Sequence, residues 1–156
     1  MISYRTHKKQ FAAVLIVLIL VFGGLCGYMI YENSVAGKTD GAVITIGSSQ
    51  KFSRQELLNA RDCVISKFKT FRGCSLTKLW YDEKQSNKQI AGYMTGGRGS
   101  QNGVKAQNVI VWYSNFKTGS KAAEQGFNEN SAYTYWNWIL IRDNKTGNWR
   151  ADDWGY

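Results

Sequence analysis

Proline is absent from the 156 residues, and the single histidine, His7, sits in the basic N-terminal stretch. Without proline there is no polyproline stalk. With no histidine beyond residue 7, the folded part excludes Ser-His-Asp and Cys-His catalysis and any histidine-ligated zinc site. Acidic residues are also scarce, 11 against 20 lysines and arginines. The adjacent pairs Asp82-Glu83 and Asp152-Asp153 fall in strand-like segments, where neighbours point to opposite faces, so neither pair forms an acid/base couple. No G-x-S-x-G elbow is present, and the run containing Gly96, Gly97, Gly99 and Gly103 lacks the Lys-Ser/Thr that completes a phosphate loop. The chain is therefore not expected to be an enzyme or to carry a cofactor or metal. Its composition, 44% hydrophobic and 20% charged, excludes disorder, collagen-like repeats and a multi-spanning transporter.

The clearest feature present is the uncharged run 11–30. As a helix rising ~1.5 Å per residue it spans roughly 30 Å, the thickness of a bilayer core. Arg5, Lys8 and Lys9 precede it without an acid, which places the N-terminus in the cytoplasm and everything after residue 30 outside. The competing reading is a signal peptide cleaved after Ala36, since Ser34-Val35-Ala36 offers small residues at a cleavage position. The apolar run exceeds the roughly 7–15 residues of a signal core, which favours an uncleaved single-pass anchor in the cell membrane. The expected organisation is a cytoplasmic tail 1–10, a transmembrane helix 11–30, a linker 31–51 and an extracytoplasmic domain 52–156.

Of the net charge of +9, the three cations of the tail account for three, which leaves +6 beyond residue 30. A positive exterior domain is drawn to anionic lipid headgroups and cell-envelope polymers. Nucleic acid is not an expected partner on that side of the membrane.

Within the domain, Ser53 and Glu56 form an S-x-x-E capping signature ahead of the helical stripe Leu57, Val64, Phe68 and Phe71, which predicts a helix over 54–71. A strand is expected over 75–83, and Ser86-Asn87-Lys88-Gln89 reads as the cap of a short second helix. Strands follow near 108–116, 133–142 and 148–156. Between the last two, residues 143–147 form a hairpin loop with Gly147 as its left-handed residue. Residues 42–46 make a further candidate edge strand, and 117–132 a long polar loop. The order argues an α+β fold with the long helix across one face of a curved antiparallel sheet.

Alternation along 133–142 puts Trp136, Trp138 and Leu140 on one face and Tyr135, Ile139 and Ile141 on the other. Both faces are apolar. One covers the helix, while the second lines a ligand pocket, docks on a partner or is covered by the short helix and long loop. Trp112, Tyr135, Trp136 and Trp138 are the candidate binding residues, for an unidentified protein or a small apolar ligand. Cys63 and Cys74 are the candidate disulfide: in an exported domain the pair oxidises if the strand starting at Cys74 returns along the helix, and otherwise remains as two thiols.

The run Asp62-Cys63-Val64 through Arg72-Gly73-Cys74-Ser75-Leu76-Thr77-Lys78-Leu79-Trp80-Tyr81-Asp82-Glu83, with Asn137-Trp138-Ile139-Leu140-Ile141-Arg142-Asp143 and Trp149-Arg150-Ala151-Asp152-Asp153-Trp154-Gly155-Tyr156, resembles a family of uncharacterised domains. That family occurs in small membrane-anchored proteins and lipoproteins of Gram-positive bacteria. Its tryptophan-rich closing strand is similar to that of the nuclear transport factor 2-like, or cystatin-like, superfamily. The resemblance implies a cone-shaped sheet wrapped on a helix, with a pocket between them and no established activity. Two functions fit: a non-catalytic binding or interaction module, or a structural subunit of an envelope or conjugation-type secretion assembly.

The apolar run generates a first prediction. Full-length protein should fractionate with membranes, and protease added to intact cells should digest residues beyond 36. Recovery from the medium of a mature chain beginning at Gly37 would identify the run as a cleaved signal instead.

Overall fold

The computed structural model describes the backbone of residues 2–156 and the side chains of 14–31 and 35–156. It contains two compact units, 1–35 and 36–156. The first is helix α1 (Ile2–Val35). Its segment Val14–Tyr31 has a mean hydropathy of 2.5 and none of it is buried within the chain. Such a helix fits a membrane anchor or a signal sequence.

The second unit starts from a backbone contact. Gly37 donates its amide to Lys69 O at 3.0 Å, meeting one of the carbonyls that a helix end leaves without a partner. A Cβ at position 37 would stand 2.2 Å from Phe68 O, so only glycine allows this approach. Lys38 then bonds with Cys74 O and Leu76 N, and β1 (Val43–Ile46) pairs in parallel with residues 78–81. Residues 36–51, expected as linker, are thus hydrogen-bonded into the domain.

Helix α2 (Arg54–Phe68) begins with the full capping box: Ser53 Oγ accepts from Glu56 N, and Glu56 Oε2 accepts from Ser53 N. Leu57, Ala60, Val64 and Phe68 recur at helical spacing and are all buried. The helix ends three residues before the expected 71, because Thr70 N and Phe71 N bond three residues back, to Lys67 O and Phe68 O, the tightening typical of a last turn. Gly73, at φ +71°, reverses the chain.

The chain continues through β2 (Cys74–Tyr81), α3 (Glu83–Gly96), β3 (Val109–Thr118), β4 (Ala132–Ile141) and β5 (Arg150–Gly155). The sheet order is β1-β2-β3-β4-β5, antiparallel from β2 onward. On one face α2 covers Leu76, Leu79, Ile110, Trp112, Phe116, Trp138 and Leu140. On the other, Ile90 and Tyr93 of α3 cover Val109, Val111, Tyr113, Ile139 and Ile141. The second apolar face is therefore closed largely by the short helix.

That helix starts earlier than expected. Asp82 is its cap, accepting from Gln85 N at 2.8 Å. Ser86 is a buried residue inside the first turn, and its hydroxyl accepts from Val111 N at 3.0 Å, so it joins helix to sheet and caps nothing. Two other expectations are corrected. Gly147 does not take a left-handed φ; Asn144 organises the hairpin loop, its Oδ1 accepting from Thr146 N and Oγ1. The long loop 117–132 contains a 3-10 helix, Ser120–Gln125, and lays Phe127 against Phe71 and Phe116.

Cys63 and Cys74 are free thiols, which overturns the expected bridge. Cys63 faces the last strand, with Sγ 3.4 Å from Trp149 O. Cys74 opens β2, three places away from β5 in the sheet, with Sγ 3.8 Å from Arg72 O. Strand β2 enters the sheet between β1 and β3 and does not return along the face of α2 that carries Cys63.

Trp138 is fully buried, whereas Tyr135 is 63% exposed. Trp138→Ala should therefore lower the unfolding free energy by about 3–5 kcal/mol, and Tyr135→Ala by less than about 0.5 kcal/mol, in urea titrations followed by far-UV circular dichroism.

Candidate functional site

The four aromatic candidates separate in space. Trp112 and Trp138 face each other across β3 and β4 in the core, both without solvent exposure. Trp138 Nε1 donates to Ser114 Oγ at 2.8 Å. Trp136 is half-buried in an aromatic cluster, with the rings of Phe127, Tyr133 and Tyr156 at 5.3–5.8 Å. A bulge explains this grouping: Ser114 pairs with Trp136 but Phe116 pairs with Tyr133, so Thr134 and Tyr135 together oppose Asn115. Tyr135 takes φ +56°, its amide donates to Asn115 Oδ1, and its ring meets Trp80 edge-on.

None of these four lines the cleft that forms beside α2. That cleft, of about 710 Å³, lies between α2 and the β4–β5 connection. Glu56, Asn59, Cys63 and Lys67 border it from the helix, and Arg142 and Trp149 from the hairpin.

Arg142 follows directly on the apolar end of β4 and is 3% exposed. Its Nη2 lies 2.7 Å from Glu56 Oε1. The guanidinium sits over the Trp149 ring at 4.3 Å and near Phe52 at 5.7 Å, where ring quadrupoles attract a cation. Phe52 meets Trp149 edge-on, and Trp149 Nε1 donates to Glu56 O at 3.2 Å. Groups from the helix start, the strand end and the hairpin thereby fix one another.

Electrostatics settle what these groups can do. Burial pushes the Glu56 carboxyl up, but hydrogen bonds from Ser53 and the Arg142 guanidinium outweigh it and hold the group below the usual glutamate range. Burial pushes the Cys63 thiol up, with the Ala151 amide opposing less strongly. At neutral pH Glu56 is a paired carboxylate and Cys63 a protonated thiol, which is neither a good nucleophile nor a metal ligand. Lys67 Nζ lies 4.0 Å over the Trp154 ring. Among the described residues no three His, Cys, Asp or Glu side chains converge as a metal site. The cleft presents cations, amides and hydroxyls to whatever enters it.

Residues 53–155, which build this cleft, match the family described as "Domain of unknown function (DUF4829)". The chain belongs to that family. No curated protein and no solved structure matches the chain.

In this DUF4829 domain the Glu56–Arg142 pair was the feature hidden from sequence reasoning. Glu56 reads as a cap residue and Arg142 as the polar end of a strand, and nothing along the chain announces that they meet. The only trace is an arginine directly after Ile139-Leu140-Ile141, with a tryptophan on the far side of the loop.

The pair carries a pH signature. Because the folded-state pKa of Glu56 is depressed, its contribution is present above the unfolded value near 4.3 and fades as pH falls through the lower folded value. Glu56→Gln should cost about 3 kcal/mol at pH 7, where the ranges for charged hydrogen bonds and broken buried pairs meet. The gap between the two proteins should narrow at pH 3, as measured by urea unfolding at both pH values.

Proposed function

We propose that this DUF4829 protein is a membrane-tethered, extracytoplasmic binding module that acts without catalysis and takes its ligand in the cleft between α2 and the last hairpin. The observation that carries the reading is the chemistry of the cleft wall. A cavity of about 710 Å³ is within the range of small-molecule sites, yet its carboxylate is engaged by Arg142 and its thiol is protonated at neutral pH. Such a wall holds a ligand and offers it no free base or nucleophile.

The apolar helix Val14–Tyr31 supports the tether, and the basic flank Arg5, Lys8 and Lys9 supports the cytoplasmic orientation of the N-terminus. The architecture, one long helix on a five-stranded sheet with a cleft between them, supports the likeness to nuclear transport factor 2-like domains. The site lies apart from the aromatic sheet face that the sequence pattern points to: Trp112 and Trp138 serve the core, and recognition moves to polar and cationic side chains beside them.

Asn59 is exposed on α2 and borders the cleft, so a large side chain there fills the cleft while leaving the core intact. Small-molecule ligands detected by thermal shift on the full-length protein in detergent micelles should lose binding to Asn59→Trp. Equal shifts in the two proteins would place their site elsewhere and sink the cleft reading.

A further inference from the structure

A second, smaller chamber of about 310 Å³ shares Arg142 and Lys145 with the cleft and is lined also by Lys51, Gln107 and Asn108. Its wall contains three cations, two amides and no carboxylate. We propose that this chamber is a binding site for an oxyanion group, a phosphate or a carboxylate, held by Lys51, Arg142 and Lys145.

Three observations on the wall lead there. Arg142 is 3% exposed and its Nε is buried without a hydrogen-bond partner among the described residues, although Nη2 is paired with Glu56. The pairing with Glu56 leaves part of the guanidinium's donor capacity unused, and Arg142 lines a chamber that has no carboxylate of its own. Lys51 Nζ donates to Ala106 O at 2.7 Å and Val109 O at 3.2 Å, which leaves one of its three N–H groups for a ligand. Finally, the acids nearby are engaged elsewhere: Asp143 pairs with Arg150 at 2.8 Å, and Glu83 accepts from Ser49 Oγ and from the amides of Gln50 and Lys51.

Glu83 has a positioning part in this. By binding the backbone of 50 and 51 it fixes the segment from which Lys51 reaches into the chamber. Burial lowers the Lys51 pKa more than Glu83 raises it, the signature of a cation taken partly out of water without a full counter-charge. Lys145 differs in being exposed, on the hairpin loop. Arginine with two lysines supplies both the forked donor and the point charges that oxyanions favour.

The two cavities share Arg142 and Lys145, but Asn59 borders only the cleft and Lys51 only the chamber, so variants at those two positions separate the readings. The test uses full-length protein in micelles, titrated with sodium phosphate and separately with sodium citrate against sodium chloride at matched ionic strength. A saturable rise in Tm with phosphate, citrate or both is expected, and the stronger of the two identifies the oxyanion. Lys145→Gln should weaken that binding about tenfold, the effect of one charge-assisted hydrogen bond. Lys117→Gln, on an exposed lysine of β3, should leave it unchanged, and Asn59→Trp should retain it. Because Arg142 variants risk unfolding, Lys51→Gln provides the second arm and should also weaken binding. Absence of saturable binding by either oxyanion would overturn the proposal, as would equal weakening by Lys145→Gln and Lys117→Gln.

Discussion

The ion pair of Arg142 with Glu56 ties together three segments that share no local sequence: the first turn of α2, the end of β4 and the tryptophan that leads into β5. Moving two charges out of water is expensive, and their attraction offsets this only when the remaining polar atoms also find partners. Here most of the supporting contacts are present, with Arg142 Nε the exception among the described residues. Ser53 engages the other carboxylate oxygen, Trp149 and Phe52 flank the guanidinium, and the Trp149 indole bonds the backbone of Glu56 itself. Such a pair adds less to stability than to registry, because it is satisfied only when helix and hairpin meet in one relative position. The same arginine borders both the cleft and the chamber.

The sheet beneath is filled from both sides, which explains why so many of its residues are large. Strand β4 alternates Trp138 and Leu140 toward α2 with Ile139 and Ile141 toward α3, and a helix on each face is what such two-sided apolarity requires. The bulge at Thr134 and Tyr135 breaks the alternation near the start of β4. It turns Tyr133 and Trp136 to the same side, where they pack with Phe116 and Phe127, and leaves Tyr135 outward. The long loop is therefore part of the packing, since its Phe127 packs against the same core cluster as Phe68 of α2.

Legibility in the sequence followed the range of the interactions. Ser53 and Glu56 lie three residues apart and announce the start of α2, and the alternation in β4 assigns each side chain to its face. The same local logic failed at Ser86, whose spacing to Gln89 imitates a cap although its hydroxyl is taken by a strand 25 residues on. It failed at Cys63 and Cys74 for a related reason. Their separation in sequence fits a bridge, but sheet order decides their separation in space, and β2 lies three places from the strand that Cys63 faces. The cleft was least visible of all, since its residues come from a helix, a strand end and a loop. Aromatic content drew attention to Trp112 and Trp138, whose role is in the interior, while the buried arginine borders both cavities.

Recognition by such a wall depends on which costs the fold has already met. Arg142 is desolvated and oriented by Glu56 and Trp149 before any ligand arrives, and Lys51 is held by two backbone carbonyls from a segment fixed by Glu83. Binding therefore does not have to order these two side chains, the contribution that ordinarily erodes the affinity of flexible surface lysines. Long-range attraction acts separately. The +6 charge beyond residue 30 raises the local concentration of any anion, but at physiological salt that field decays over about 8 Å and does not distinguish one anion from another. Discrimination has to come from the fixed donors within the fold. A domain that is both broadly cationic and locally preorganised can gather anions generally and retain only those whose oxygen atoms match Arg142 and Lys51.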